Sequence, residues 1–184
     1  MNEHLGGAYP ESDGNTFMVD IWGYLVVKYE LKIILDVGCG YGHALKWFSD
    51  NACCQIKGIE GMKEYVEKSL VPKCVVEHDF TTGPAPVAQP FDLAWSAEFV
   101  EHVDAKYIPN YMPAFQLARI AVITHAEPGQ AGHHHVNCQS DSYWVSVFSK
   151  YGFKHRQDET DLLRRTDRWR ANWGRRSIMF FERL

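Results

Sequence analysis

A short apolar run that ends in an acid and then three alternating glycines constrains this chain more than any other feature. Ile33, Ile34, Leu35 and Val37 surround Asp36, and Gly38, Gly40 and Gly42 follow at every second position. The run reads as a strand buried on both faces, the kind that parallel sheets contain. The glycines permit a tight turn whose backbone a ligand can approach closely. HALKWFSDN, which follows, reads as a helix whose first N–H groups favour an electron-rich partner. A second strand, QIKGIEG, ends at Glu60. An acid there, about 20 residues beyond the turn, can accept hydrogen bonds from both hydroxyls of a ribose.

The same alternation continues along the chain. A helix through FMVDIWGYLVVKYE, capped by Asn15 or Thr16, precedes the first strand. MKEYVEKSL is a helix stopped by Pro72; KCVVEHDF and FDLAWS are the third and fourth strands. AEFVEHVDAKYIPNYMPAFQL is expected to be mostly helical, broken near Pro109 and Pro113. ARIAVITHA is a fifth strand, and EPGQAGHHHVNCQS a long loop. DSYWVSVFSKYG is a helix with Ser140 or Asp141 as cap and Gly152 at its end. FKHRQDE and RRSIMFFERL supply the last two strands. This pattern means an α/β fold, a parallel-type sheet with helices on both faces and its ligand loops at the carboxyl ends of the strands. No repeat or linker divides the chain, so residues 1–184 are expected to form one domain, with residues 1–15 a flexible loop.

Composition sets limits on what such a domain does. Hydrophobic residues at 46% and charged residues at 23% are globular values. A net charge of −4 argues against a dedicated nucleic-acid-binding domain. The segment from Arg164 to Arg176 is locally arginine-rich, either a solvated tail or a site for an anionic group. None of the five cysteines forms a C-x-x-C pair, and they read as reduced thiols. The first residues lack the apolar stretch of a signal peptide, and no run reaches the length of a membrane helix. A soluble, cytoplasmic protein is therefore expected, with no membrane partner.

The spacing of the glycines separates two cofactor classes. Dinucleotide sites prefer G-x-G-x-x-G, with the pyrophosphate at the helix terminus. Here an acid stands immediately before the turn, where it would repel pyrophosphate and suit the cationic amino-acid portion of S-adenosylmethionine. LDVGCGYG, IEG, HDF at His78–Phe80 and FDLAWSAEFVEHV together resemble the successive motifs of the class I S-adenosylmethionine-dependent methyltransferases. GQAGHHHVNCQSDSYW is similar to a small type-11 or type-23-like group of them found in environmental and viral genomes. The resemblance implies a Rossmann-like fold, a seven-stranded and mostly parallel sheet. It implies that Asp36, Gly38 and Gly40 hold the methionine moiety, with Cys39 in the same turn. Glu60, with Gly61, would bind ribose; Asp79 would bond the adenine amine while Met62 and Phe80 pack on the ring. Trp95 and Ser96 would line the sulfonium side.

Methyl transfer from a sulfonium is an in-line displacement, and placing the two reactants together supplies much of its rate. Glu98, Glu101 and His102 follow the fourth strand, and on a helix they share one face. Two carboxylates and an imidazole can bind a divalent ion such as Mg²⁺ or Mn²⁺. The E-x-x-E-H spacing resembles that of small-RNA 3′-end ribose methyltransferases and of some quinone-biosynthesis O-methyltransferases. In the RNA group a downstream histidine completes the site, and the loop His133–His135 lies in the comparable place, with His134 as the candidate. A metal role, an imidazole base and a purely structural use all stay open for these residues. Tyr143, Trp144 and Phe148 read as core. Tyr9, Trp169 and Trp173, with Arg168, Arg170 and Arg175, either edge an acceptor pocket or pack on the surface. The chain lacks the Asp/Asn-Pro-Pro-aromatic signature and a Pro-Cys nucleophile, so duplex DNA is not an expected partner. The expected activity is methyl transfer to an oxygen or nitrogen of a small molecule, saccharide or metabolite. The alternatives are metal-assisted 2′-O-methylation of an RNA 3′ end and a non-catalytic S-adenosylmethionine-binding partner module.

Overall fold

The computed structural model describes residues 3–5, 16–166 and 176–184. Tyr9, Arg168, Trp169, Arg170, Trp173 and Arg175 lie outside the described residues. Seven strands form one sheet in the order β3-β2-β1-β4-β5-β7-β6. They are β1 (Ile33–Val37), β2 (Gln55–Glu60), β3 (Val75–Glu77), β4 (Phe91–Ser96), β5 (Ala118–Ile123), β6 (Phe153–His155) and β7 (Met179–Arg183). All pairings among β1 to β5 are parallel, and β7 inserts antiparallel between β5 and β6. The mostly parallel sheet and its flanking helices are those expected from the sequence.

Because strand side chains alternate, the central strands feed two cores. Leu35, Val37, Ala121 and Phe181 join one core with α4 (Ile108–Gln116) and α5 (Asp141–Lys150). Ile34, Trp95, Val122 and Phe180 join the other with α1 (Val19–Tyr29), α2 (His43–Ala52) and α6 (Gln157–Arg165). A short helix, α3 (Lys63–Glu67), follows β2. Register sets the centre of the molecule: Asp36 lies level with Gly58 on one side and Trp95 on the other. The carboxyl ends of β1, β2 and β4 thus open together.

Four local expectations meet different outcomes. Ser140 caps α5, its hydroxyl accepting from the Tyr143 N–H at 3.3 Å, and Gly152 takes φ 85° after that helix. α1 begins at Val19, past the expected cap, with no side-chain cap bond. FKHRQDE is strand only through His155; α6 takes over at Gln157, burying Glu159, Thr160 and Leu163 on one face. Residues 97–103 are not helical at all. A 3₁₀ turn, Ala105–Tyr107, leads into α4, which tolerates Pro109 in its first turn and carries Pro113 inside. The reason is backbone conformation and lateral bonding. Glu98 takes a left-handed φ of 53°, outside helical geometry, with its N–H donating to Thr124 Oγ1 at 2.9 Å. The Glu101 carbonyl accepts from both Val136 and Asn137 N–H at 3.0 Å. A carbonyl spent on a distant loop is not available to the helical ladder.

Candidate active site

A cavity of about 840 Å³ opens over the carboxyl ends of these strands. One end is built from the glycine turn. Gly38 has φ 74°, and a Cβ on it would fall 2.5 Å from the Phe99 ring, so only glycine fits. Glu60 braces the turn: one carboxylate oxygen accepts from the Gly40 N–H and the other from the Met62 N–H, both at 2.8 Å. Burial pushes the Glu60 carboxyl upward, and those backbone donors pull against it. Burial, with the Glu60 carboxylate nearby, pushes Asp36 well above its ordinary range. Two buried acids facing one cavity favour a ligand that brings positive charge and hydroxyl donors.

Asp36, Gly38, Cys39, Gly40, Glu60, Gly61, Asp79, Phe80 and Trp95 all line the cavity. Met62 and Ser96 do not line it. Met62 serves through its backbone, and the Ser96 hydroxyl donates to the Val37 carbonyl at 2.8 Å, tying β4 to β1. Tyr65 does line it, its ring centroid 4.4 Å from that of Tyr41. Asp79 accepts from the Thr81 N–H at 2.8 Å. Burial raises its carboxyl, and hydrogen bonds from His4 and Thr81 more than reverse this, leaving it below the usual range.

The other end is made by two segments far apart in the chain. Glu98 and His102 come from the turn after β4, His135 from the histidine loop. Each offers one ligand atom, and these three atoms lie within 4.8 Å of one another. The Val136 and Asn137 N–H bonds to the Glu101 carbonyl hold the two segments together. The buried Asn137 side chain adds a donor to the Val100 carbonyl at 3.4 Å. The His135 ring lies 5.0 Å from that of His102 and directly over Gly132, where a Cβ would fall 2.2 Å from its Nε2. His135 Nδ1 lies 3.2 Å from the Gln130 carbonyl, which can only accept, so Nδ1 carries a proton and Nε2 is the ring atom turned to the group. Burial, with the other histidines next, pushes His102 down to about 4, so this ring is a neutral imidazole at pH 7.

His134 lines the cavity but stands outside the three-ligand group, and Glu101 neither lines the cavity nor belongs to it. Glu101 is fully buried, and burial together with the Glu98 carboxylate pushes its carboxyl well above the ordinary range. Backbone conformation explains the exchange of His135 for His134. His134 takes φ 50° and Glu98 φ 53°, so neither segment follows the regular geometry that spacing arguments assume. Sequence reading therefore missed His135, along with Tyr65, His4 and Leu5; the glycine two places before His134 was the available signal for close approach.

A family model described as "Methyltransferase domain" matches residues 27–118, half of the chain. The protein belongs to this family and is an S-adenosylmethionine-dependent methyltransferase of class I. No curated protein sequence matches it significantly. The fold is similar to the methyltransferase domain of bacterial CtHen1, at 16% identity and TM-score 0.65 over 91% of this chain and 97% of that one. It is also similar to magnesium protoporphyrin IX methyltransferase from Synechocystis PCC 6803, solved with bound S-adenosylhomocysteine, at 14% identity and TM-score 0.65 over 92% and 83%. The [4+2]-cyclase SpnF shares it as well, at 16% identity and TM-score 0.60 over 89% and 80%. At such identities the likeness is one of fold. Among the described residues no helix is long and apolar enough to cross a membrane.

Proposed function

We propose that this chain, as one domain, transfers the methyl group of S-adenosylmethionine to a hydroxyl oxygen of a small, uncharged acceptor, with a divalent ion held by Glu98, His102 and His135. The observation that carries this reading is the three-ligand group at one end of a cavity whose other end is the Asp36–Glu60 cofactor site. The donor set, one carboxylate and two imidazoles, fits a first-row divalent ion such as Mn²⁺. Such an ion, when bound, lowers the pKa of a hydroxyl that it coordinates. The chain's own residues do the rest. Asp36 accepts the cationic amino group, Glu60 the ribose hydroxyls, and Asp79 the adenine amine. Phe80 and Phe99, whose centroids are 5.6 Å apart, wall the nucleoside from the acceptor. His102, a neutral ring at pH 7, adds no like charge beside a sulfonium.

The acceptor end bears Glu98 and Asp104 against Lys106, and Lys106 is itself paired with Asp104 at 3.3 Å. That balance suits a neutral metabolite or saccharide better than the phosphates of an RNA end. Thermal unfolding with S-adenosylhomocysteine, with NAD as control and with Mn²⁺ or chelator added, tests the reading. At a hundredfold excess over its dissociation constant the homocysteine product should stabilise by about 2.7 kcal/mol. A further Mn²⁺-dependent shift is expected that His135→Ala abolishes. Equal shifts with chelator present would overturn the metal, and a shift with NAD alone would overturn the cofactor assignment.

A further inference from the structure

The 3₁₀ turn Glu3–Leu5 sits at the nucleoside end of the cavity, where both His4 and Leu5 form part of the wall. His4 Nε2 lies 2.8 Å from Asp79 Oδ2, a contact that spans 75 residues of sequence. The other carboxylate oxygen, Oδ1, already accepts from Thr81 N–H in the local turn. Leu5 packs on the bare Cα of Gly61, its Cδ2 standing 2.8 Å from where a Cβ would be. Neither His4 nor Leu5 belongs to any motif that the cofactor site requires.

We propose that this turn is a displaceable cover of the nucleoside subsite, in which His4 competes with the exocyclic amine of an incoming purine for Asp79 Oδ2. The proposal rests on the reading of Asp79 as the adenine acceptor. With Oδ1 held by its own turn and Oδ2 by an imidazole, an arriving amine displaces His4 or shares a weakened acceptor. Leu5 is the next residue, so release of His4 also frees the leucine from Gly61. The cover therefore opens for the ligand that offers an amine, whereas a purine with a carbonyl at that position turns an acceptor, not a donor, toward Asp79 Oδ2.

Calorimetric titration of the full chain with S-adenosylhomocysteine and with S-inosylhomocysteine, which carries an oxo group in place of the amine, tests this. His4→Ala should tighten the adenosyl ligand about three- to tenfold, the range of one hydrogen bond, and change the inosyl ligand less than about twofold. Equal changes for both ligands, no change for either, or weaker adenosyl binding would each overturn the competition. Leu5→Ala should move both ligands together. Asp79→Ala checks the reading beneath: it should erase the preference for adenosyl over inosyl. A preference that survives in Asp79→Ala would overturn the adenine assignment itself, whatever His4→Ala does.

Discussion

The two ends of the cavity are built by different means. At one end, Asp36, the glycine turn and Glu60 come from one strand–turn–helix–strand unit, and Glu60 is bonded back to Gly40 of that same unit. At the other, Glu98 and His102 meet His135 where the Glu101 and Val100 carbonyls capture donors of a remote loop. A site made within one local unit is specified by residue types at short spacing. A site made by stitching two loops is specified by tertiary hydrogen bonds, and its members can shift by one residue without any change in the motif.

The sharpest break of this comparison is Glu60→Ala. It removes the charged acceptor of two backbone bonds and of the proposed ribose contact together. Hydrogen bonds to a charged group contribute about 1.5–3 kcal/mol each. S-adenosylhomocysteine affinity should therefore fall by about two orders of magnitude, while Mn²⁺ binding at the other end changes little. Calorimetry with each ligand separately reads both. Loss of Mn²⁺ binding as well would mean that the two ends are not independently built.

Gly132→Ala asks the converse. Its Cβ would fall 2.2 Å from His135 Nε2, too close for the ring to stay. Mn²⁺ affinity should drop about tenfold or more, as for loss of a supporting residue of a metal site. S-adenosylhomocysteine affinity should hold. Unchanged Mn²⁺ binding would take His135 out of the ligand set.

These two glycine and acid positions also show what could be read from the chain alone. The sheet, the order of strand and helix, and the placing of the glycine turn and Glu60 at one end of the cavity follow from residue types whose backbone demands are local. Gly38 is required both by φ and by the Phe99 ring, and the motif records it. Helical geometry for residues 98–102 is the natural reading of E-x-x-E-H, and it fails because Glu98 takes a left-handed φ of 53° and the Val136–Asn137 amides occupy the Glu101 carbonyl a helix would need. α6 was hidden for a related reason: its sequence is almost wholly polar, and only Leu163, Thr160 and a Glu159 paired with Lys28 turn inward. His4 reaches Asp79 from the far end of the chain, a contact that no spacing encodes.

The titration of the acceptor end gives a smaller effect with a defined direction. His102 is held near 4 in the folded chain and lies near 6.5 when unfolded. The unfolded state therefore binds more protons between those values, and folding stability falls as pH drops from about 6.5 toward 4. Burial lowers His43 and His155 too, which adds to the same loss. Glu101 acts oppositely: its raised carboxyl contributes stability that is present below its unfolded value and fades as pH rises through its folded one. Urea midpoints measured across this window should slope less steeply in His102→Gln than in the native chain. Equal slopes would mean that the imidazole titrates as if exposed.

The smallest effect distinguishes ligand from scaffold within the histidine loop. Four non-glycine residues among those described have positive φ, and two of them, Glu30 and Cys53, end helices in the usual left-handed way. The other two, Glu98 and His134, face the same cavity, where conformational strain commonly marks function. A left-handed residue costs about 1–2 kcal/mol that glycine does not incur, though glycine's freer unfolded chain offsets part of it. His134→Gly should raise stability by roughly 0.5 kcal/mol and leave Mn²⁺ affinity intact, because the backbone at 134 only aims His135. Glu98→Gly relieves the same strain and should stabilise the fold by a similar amount, yet abolish the ion site. If instead His134→Gly lost Mn²⁺ binding as completely as Glu98→Gly, the side chain at 134 would be the ligand after all, and the left-handed turn at this end would serve to aim it rather than its neighbour.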